Sequence, residues 1–194
     1  MNTAWPVGEY YLQGVTEMAS GFKLDENGRF DFFFSYGALD RQGRGTWAVK
    51  NGQVVFNSDQ PATADFTLLE KSQGDHEEIL VMVKDSNPLI CRHMFASLQE
   101  GAPESWVQAN QRGEIVFPPA AFSAVCLLLE FCHERVFRFE LNGELANELI
   151  FKPEPVIFDY LFKDFILKRE GDDLVGQHPL LKPGEYQFRQ VRLF

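Results

Sequence analysis

The sequence GFKLDENGRFDFFFS, residues 21–35, decides the fold class of this chain. Asn27-Gly28 separates two runs of alternating residues, and this dipeptide enters the positive φ values of a tight hairpin turn at low cost. From Phe30 to Phe34 every second residue is phenylalanine, so one face of the second strand is wholly aromatic. Phe33 falls on the opposite face of that strand. The stretch therefore predicts an antiparallel β-hairpin with an aromatic face.

The same pattern continues along the chain. Asn51-Gly52 joins a predicted strand at 44–50 to another at 53–58, while the connection at 36–43 is looser. Further alternating runs follow as far as a final predicted strand at 185–194. With 19 phenylalanines among 194 residues, the chain is predicted to be all-β, an antiparallel meander or barrel plus a β-sandwich built around aromatic cores.

The polar turn at 72–75 is the predicted domain boundary. Residues 1–75 are predicted to form an antiparallel β-meander or barrel, and residues 76–194 a β-sandwich; the alternative is that both are fused into one domain. A strand is predicted at 89–95. The Ala- and Leu-rich residues 119–131 fit either a helix or a strand.

Composition and charge restrict the function classes. A formal charge of −10 repels polyanions, which disfavours nucleic acid and anionic membrane surfaces as partners. No stretch approaches the roughly 18 apolar residues of a membrane span, and the N-terminus carries no leader signal. Three cysteines at unrelated spacings predict free thiols and a reducing compartment, so the expected location is the cytoplasm.

The predicted ligand-binding residues flank the loose connection, because loops on a rigid sheet are where binding groups gather. They are Tyr36, Asp40, Arg44 and Trp47, together with Glu17 and Ser20, which precede the meander. The competing interpretation is that the glycines and aspartate of this connection are ordinary turn formers.

Catalytic and metal-binding patterns are faint. Cys91 and His93 are two residues apart and would share one face of a strand, but two ligands do not make a metal site. Asp31, Asp40 and His133 become catalytic candidates only if the fold brings them together. No nucleophile elbow, phosphate loop, zinc motif or dinucleotide fingerprint is present in the sequence. We therefore predict no metal and no cofactor.

Two stretches resemble known families. Residues 8–71, in which Gly8-Glu9-Tyr10-Tyr11-Leu12 enters a series of hairpins and Gly45-Thr46-Trp47 opens a strand, resemble small lipocalin-type barrels. Residues 79–141, in which strand 79–83 runs into a Ser-Asn-Pro turn and a turn glycine precedes Ile115-Val116-Phe117, are similar to transthyretin-like sandwiches. These resemblances imply a module that binds or braces and does not catalyse.

The sequence thus favours a non-catalytic binding or interaction protein for a small apolar ligand or a protein partner. The alternatives are a hydrolase whose site is assembled only in three dimensions, and a structural homo-oligomer that pairs through sheet edges.

Overall fold

The computed structural model of the protein describes residues 6–99 and 103–191. Strands dominate this part of the chain, which confirms the all-β prediction. In chain order they are β1 Gly8–Leu12, β2 Met18–Leu24, β3 Arg29–Tyr36, β4 Leu39–Lys50, β5 Gln53–Ser58, β6 Phe66–Ser72, β7 Ile79–Val83, β8 Met94–Ser97, β9 Val107–Gln108, β10 Glu114–Phe117, β11 Ala124–Leu129, β12 Phe137–Glu140, β13 Glu148–Pro153, β14 Phe165–Glu170, β15 Asp173–Gly176 and β16 Tyr186–Val191. The helical segments are α1 Pro88–Cys91 and the 3-10 turns Pro103–Ser105, Glu130–Cys132 and Pro155–Phe158.

The chain divides into two compact units. The barrel unit comprises the residues up to Gln60 and those from Phe158 onward, and the inserted unit comprises Pro61–Ile157. The predicted boundary at residue 75 lies inside the inserted unit. The last third of the chain, predicted to belong to a sandwich, instead supplies three strands of the barrel.

The barrel unit is a closed, eight-stranded antiparallel barrel. Around the barrel the order is β1, β2, β3, β4, β5, β14, β15 and β16, so strands adjacent in the barrel follow one another along the chain. The inserted unit interrupts this order between β5 and β14, and β16 closes the barrel by pairing with β1. The predicted barrel is confirmed, and closure leaves no free sheet edge in it.

Aromatic side chains fill the barrel interior. Phe30, Phe32 and Phe34 of β3 all point inward and are buried, as the alternation predicted. Phe22 of β2 lies opposite Phe32, with ring centroids 4.9 Å apart. The buried cluster also includes Phe56 from β5, and tilted and edge-to-face ring contacts run throughout it.

One buried phenylalanine of this interior comes from outside the strands. Phe162 lies in the connection before β14, is buried, and places its ring centroid 5.2 Å from those of both Phe30 and Phe32. Its backbone is fixed by two hydrogen bonds with Ser58. A Cβ atom at Gly43 would lie 2.6 Å from the Phe162 ring, so glycine is required there for the ring to enter.

The inserted unit contains two four-stranded sheets, with strand orders β10-β7-β13-β6 and β12-β11-β8-β9. β7 and β13 are parallel, whereas the other pairs are antiparallel. Aromatic rings from the two sheets contact each other, as Phe139 does with Phe151 at 5.5 Å.

The structure tests the local predictions made for residues 119–131 and 89–95. The helix-or-strand alternative at 119–131 resolves as strand β11 at Ala124–Leu129. The strand predicted at 89–95 is wrong in its first half, because α1 occupies Pro88–Cys91 and β8 begins only at Met94. The Asn87 side chain accepts a hydrogen bond from the Leu89 N–H and caps this helix, with proline in its first turn.

Among the residues that the structure describes, no helix is long and apolar enough to cross a membrane.

Candidate functional site

The connection that was expected to carry the binding residues is a tight hairpin. Tyr36 pairs with Leu39 across the two-residue turn Gly37-Ala38, and β4 begins at once. The prediction of a loose connection at 36–43 is therefore wrong. Gly43, interpreted as a turn former, lies within the strand, where it makes room for an interior ring.

The six predicted ligand-binding residues do not form one cluster. Tyr36 and Asp40 lie at the barrel end where β2 begins, and Glu17 immediately precedes Met18, the partner of Tyr36. Trp47 lies eight residues beyond Leu39, or about 26 Å along the strand. There its buried indole N–H donates to the Asp25 carbonyl.

Arg44 lies between these two positions on the exposed outer face of β4, opposite Asp31. The predicted ligand-binding role of the six residues stays a prediction.

Ser20 is buried inside the barrel, where its hydroxyl is hydrogen-bonded. Its buried hydroxyl donates to the Phe33 carbonyl at 2.8 Å and lies 2.9 Å from Nε2 of His178, which is also buried. The backbone N–H of Leu180 donates to the other nitrogen of that imidazole, Nδ1. The proton of His178 therefore resides on Nε2, and the serine and histidine together tie the connection before β16 to β2.

The residues considered for hydrolysis are not joined to one another. Among the described residues, no hydrogen bond links any two of Asp31, Asp40, Cys91, His93 and His133. His93 instead contacts Glu130 at 2.7 Å and accepts from the Arg92 guanidinium. Burial raises the pKa of the Cys91 thiol, which disfavours the reactive thiolate.

An open cleft in the inserted unit is the strongest candidate site. It lies between the segments 73–79, 119–122 and 141–147, here called the loop cleft, and its volume is about 660 Å³. Small-molecule sites of about 300–1,000 Å³ are typical of proteins. The three segments connect strands, and connections of this kind commonly carry binding residues.

Asn147 links two of the segments that line the loop cleft. Its side chain accepts from the Gly74 N–H at 2.7 Å and donates to the His76 carbonyl. Its backbone N–H donates to the Ser72 carbonyl, and its carbonyl accepts from the Leu80 N–H. All the polar groups of this buried residue are therefore satisfied, and the loop after β6 is fixed to the start of β13.

A charged hydrogen-bond network borders the loop cleft. His76 places Nε2 2.8 Å from the Glu148 carboxylate and Nδ1 3.0 Å from the Glu78 carbonyl. Both neighbours are acceptors, so they favour the doubly protonated imidazolium, and the hydrogen bond to Glu148 raises the pKa of His76. Glu148 also accepts from the Ser72 hydroxyl; its bonds to His76 and then to Ser72 lower its pKa.

The loop cleft combines apolar contact with negative charge. Leu145, one of its lining residues, is 89 % exposed, and Phe122 of segment 119–122 also lines it. Glu144 is paired with Lys71, whereas Glu77 makes no ion pair with any described residue. A cleft lined by an exposed leucine and by a carboxylate that forms no ion pair within the described part of the chain is suited to a ligand with an apolar body and a positive charge.

Sequence reasoning missed the loop cleft because its three segments are separated by tens of residues. The local signals are the polar turn at 72–75, which indicates a loop, and Pro118-Pro119, which mark the end of a strand. Within residues 6–99 and 103–191, no group of three or more His, Cys, Asp or Glu side chains is close enough to hold a metal ion.

A scan against protein-family models finds no matching family, and searches of curated proteins and of solved structures find no significant similarity.

Proposed function

We propose that the protein is a non-catalytic binding protein whose loop cleft takes a small ligand with an apolar body and a positively charged group. The observation that carries the proposal is that exposed Leu145 and Glu77 line one cleft of suitable volume. The formal charge of −10 adds a long-range attraction for cations.

The network beside the cleft supports binding over catalysis. A general base needs a nitrogen lone pair directed at the substrate. Both ring nitrogens of His76 already face acceptors inside the protein, Glu148 and the Glu78 carbonyl. The imidazole is therefore suited to holding the loop in position, and the Ser72 hydroxyl donates to the Glu148 carboxylate and not to the imidazole.

The proposed site lies outside the barrel. The eight strands, adjacent in chain order, agree with the lipocalin-type resemblance at the level of a small barrel. Lipocalin-type barrels hold ligands in their interior, but here the interior is filled by aromatic side chains, with Phe162 among them. The burial of all three cysteines, Cys91, Cys126 and Cys132, is compatible with a reducing compartment such as the cytoplasm.

The experiment compares two probes that share an apolar body and differ in charge. Two-dimensional NMR titration with 2-phenylethylammonium is expected to shift the amide resonances of segments 73–79 and 141–147. The carboxylate 3-phenylpropionate is expected to bind at least fivefold more weakly, because Glu77 repels it.

Matched variants separate the contacts in the cleft from general surface effects. Glu77→Gln and Leu145→Ser are each expected to weaken binding of the ammonium probe severalfold. Their controls are Glu70→Gln and Leu69→Ser, which alter an exposed carboxylate and an exposed leucine of β6 outside the cleft. Equal affinity for the two probes, or equal losses in the controls, would refute the proposal.

A further inference from the structure

The outer face of the barrel carries an exposed aromatic pair. Tyr11 of β1 and Phe33 of β3 are 39 % and 38 % exposed, and their ring centroids are 5.8 Å apart in an edge-to-face arrangement. The other described aromatic residues of β3, apart from Tyr36 at its end, point into the barrel. The two rings together form a contiguous apolar surface on the outside of the barrel.

The two rings meet because the strand between them carries no side chain at that point. Gly21 of β2 pairs with both Tyr11 and Phe33 in the sheet. A Cβ atom there would lie 2.9 Å from the Phe33 ring and 2.4 Å from the Tyr10 carbonyl oxygen. Glycine is therefore required for Phe33 to lean across β2 and reach Tyr11.

Two carboxylates flank the aromatic pair. Glu9 is two residues before Tyr11 on the same face, and it accepts a hydrogen bond from the Tyr11 hydroxyl at 3.0 Å. Asp31 is two residues before Phe33 and makes no ion pair with the described residues. Lys23 of β2 pairs with both Glu9 and Asp31 in the sheet, but its ammonium lies 3.8 Å from the carboxylate of Asp25.

These side chains line a groove of about 230 Å³, here called the aromatic groove. A cation within about 6 Å of a ring centroid is attracted by the negative face of the ring. An arginine also stacks its planar guanidinium on the ring while its N–H groups reach a neighbouring carboxylate. The aromatic groove offers both kinds of contact, within a protein of charge −10.

We propose that the aromatic groove is a docking site for an arginine side chain of a basic protein partner. The guanidinium stacks on the exposed ring of Phe33 and donates to Asp31, while Tyr11 and Glu9 line the other side of the groove. This proposal is independent of the loop cleft, because the two sites lie in different units and the residues concerned are different.

The probe for this site is N-acetyl-arginine methylamide, with the citrulline analogue as its neutral isostere. In NMR titrations of the whole chain, the arginine probe is expected to shift amide resonances of β1, β2 and β3. The citrulline probe is expected to bind at least fivefold more weakly. Raising the salt concentration from 20 to 300 mM is expected to reduce this difference, because exposed charges are screened.

Four variants test the roles of the groove residues. Phe33→Leu keeps an apolar side chain but removes the ring, and is expected to weaken arginine binding about two- to fivefold. Asp31→Asn is expected to weaken it by a similar factor. Lys23→Gln is expected to strengthen binding, since it removes a competing cation. The matched control is Tyr36→Leu, which removes a 50 %-exposed ring from the end of the same strand and is expected to change nothing.

Three results would overturn the proposal, provided that the amide spectra show each variant folded. They are equal binding of arginine and citrulline, undiminished binding by the Phe33→Leu variant, and perturbations located away from β1–β3. Shifts confined to segments 73–79 and 141–147 would instead support the loop cleft as the only cation site.

Discussion

His178 is expected to make the barrel unit sensitive to acid. This imidazole is only 3 % exposed and packs between the rings of Phe34 and Phe188, at centroid distances of 5.6 and 5.8 Å. Its Nδ1 accepts from the Leu180 N–H and its Nε2 faces the Ser20 hydroxyl. A second proton on Nδ1 would face the Leu180 N–H, and no carboxylate among these contacts would compensate the charge.

Burial lowers the pKa of His178 from 6.5 to about 4. Between these values the unfolded chain binds a proton that the folded chain does not, so the free energy of unfolding rises with pH across this window. The contribution of His178 is complete above pH 6.5 and is lost as pH falls toward 4. A difference of about 2.5 pKa units corresponds to roughly 3 kcal/mol.

The assay is urea denaturation at half-unit intervals from pH 4.5 to 7, followed at the indole N–H resonance of Trp47 in the barrel core. His178→Gln retains one donor and one acceptor for Ser20 and Leu180. Subtracting its free energy of unfolding from that of the natural chain removes the contributions of the other groups. His76 is one of these, and its raised pKa has the opposite sign, stabilising at low pH and losing this effect as pH rises.

We expect the difference between the two proteins to shrink by about 2 to 3 kcal/mol as pH falls across this range. The control variant His133→Gln, which alters an exposed histidine of the inserted unit, is expected to retain the pH dependence of the natural chain. A difference that is independent of pH would refute the assignment of a neutral, desolvated imidazole.

Three further outcomes are expected. Phe162→Ala removes a ring from the barrel interior and is expected to cost about 3–5 kcal/mol of unfolding free energy, measured by urea denaturation at Trp47. Asp65→Asn leaves the buried Arg135 guanidinium without its carboxylate and is expected to cost about 3 kcal/mol, measured by hydrogen exchange of core amides in the inserted unit. The affinity of the loop cleft for 2-phenylethylammonium is expected to rise as pH increases through the raised pKa of His76, because the positive charge of the imidazolium disappears. Titrations of the natural chain and of His76→Gln at pH 6 and 8 check this.

Local sequence signals predicted the hairpins well. Asn27-Gly28 and Asn51-Gly52 both form tight turns, and Gly28 and Gly52 have the positive φ values that favour glycine. The inward direction of Phe30 and Phe34 followed from the two-residue period of a strand. These features depend on residues within one short window, which is why the sequence alone was sufficient.

Features that depend on distant contacts were not predicted. Gly43 resembles a turn former in its own window, and only the Phe162 ring, more than a hundred residues later, shows why it lies in a strand. The pairing of β5 with β14 spans the whole inserted unit, and no local signal carries the register between such strands. The same limitation applies to the loop cleft, whose walls come from three separate connections.

The abundance of aromatic residues in this chain has two different consequences. Rings on the inner faces of the strands pack against one another and fill the barrel, so we do not expect a ligand in its interior. Phe33 belongs to the same aromatic run, yet the alternation of the strand directs it to the surface beside Asp31. A single run of sequence thus builds both the core and one wall of the aromatic groove, and replacing Phe33 tests binding without removing a ring from the interior.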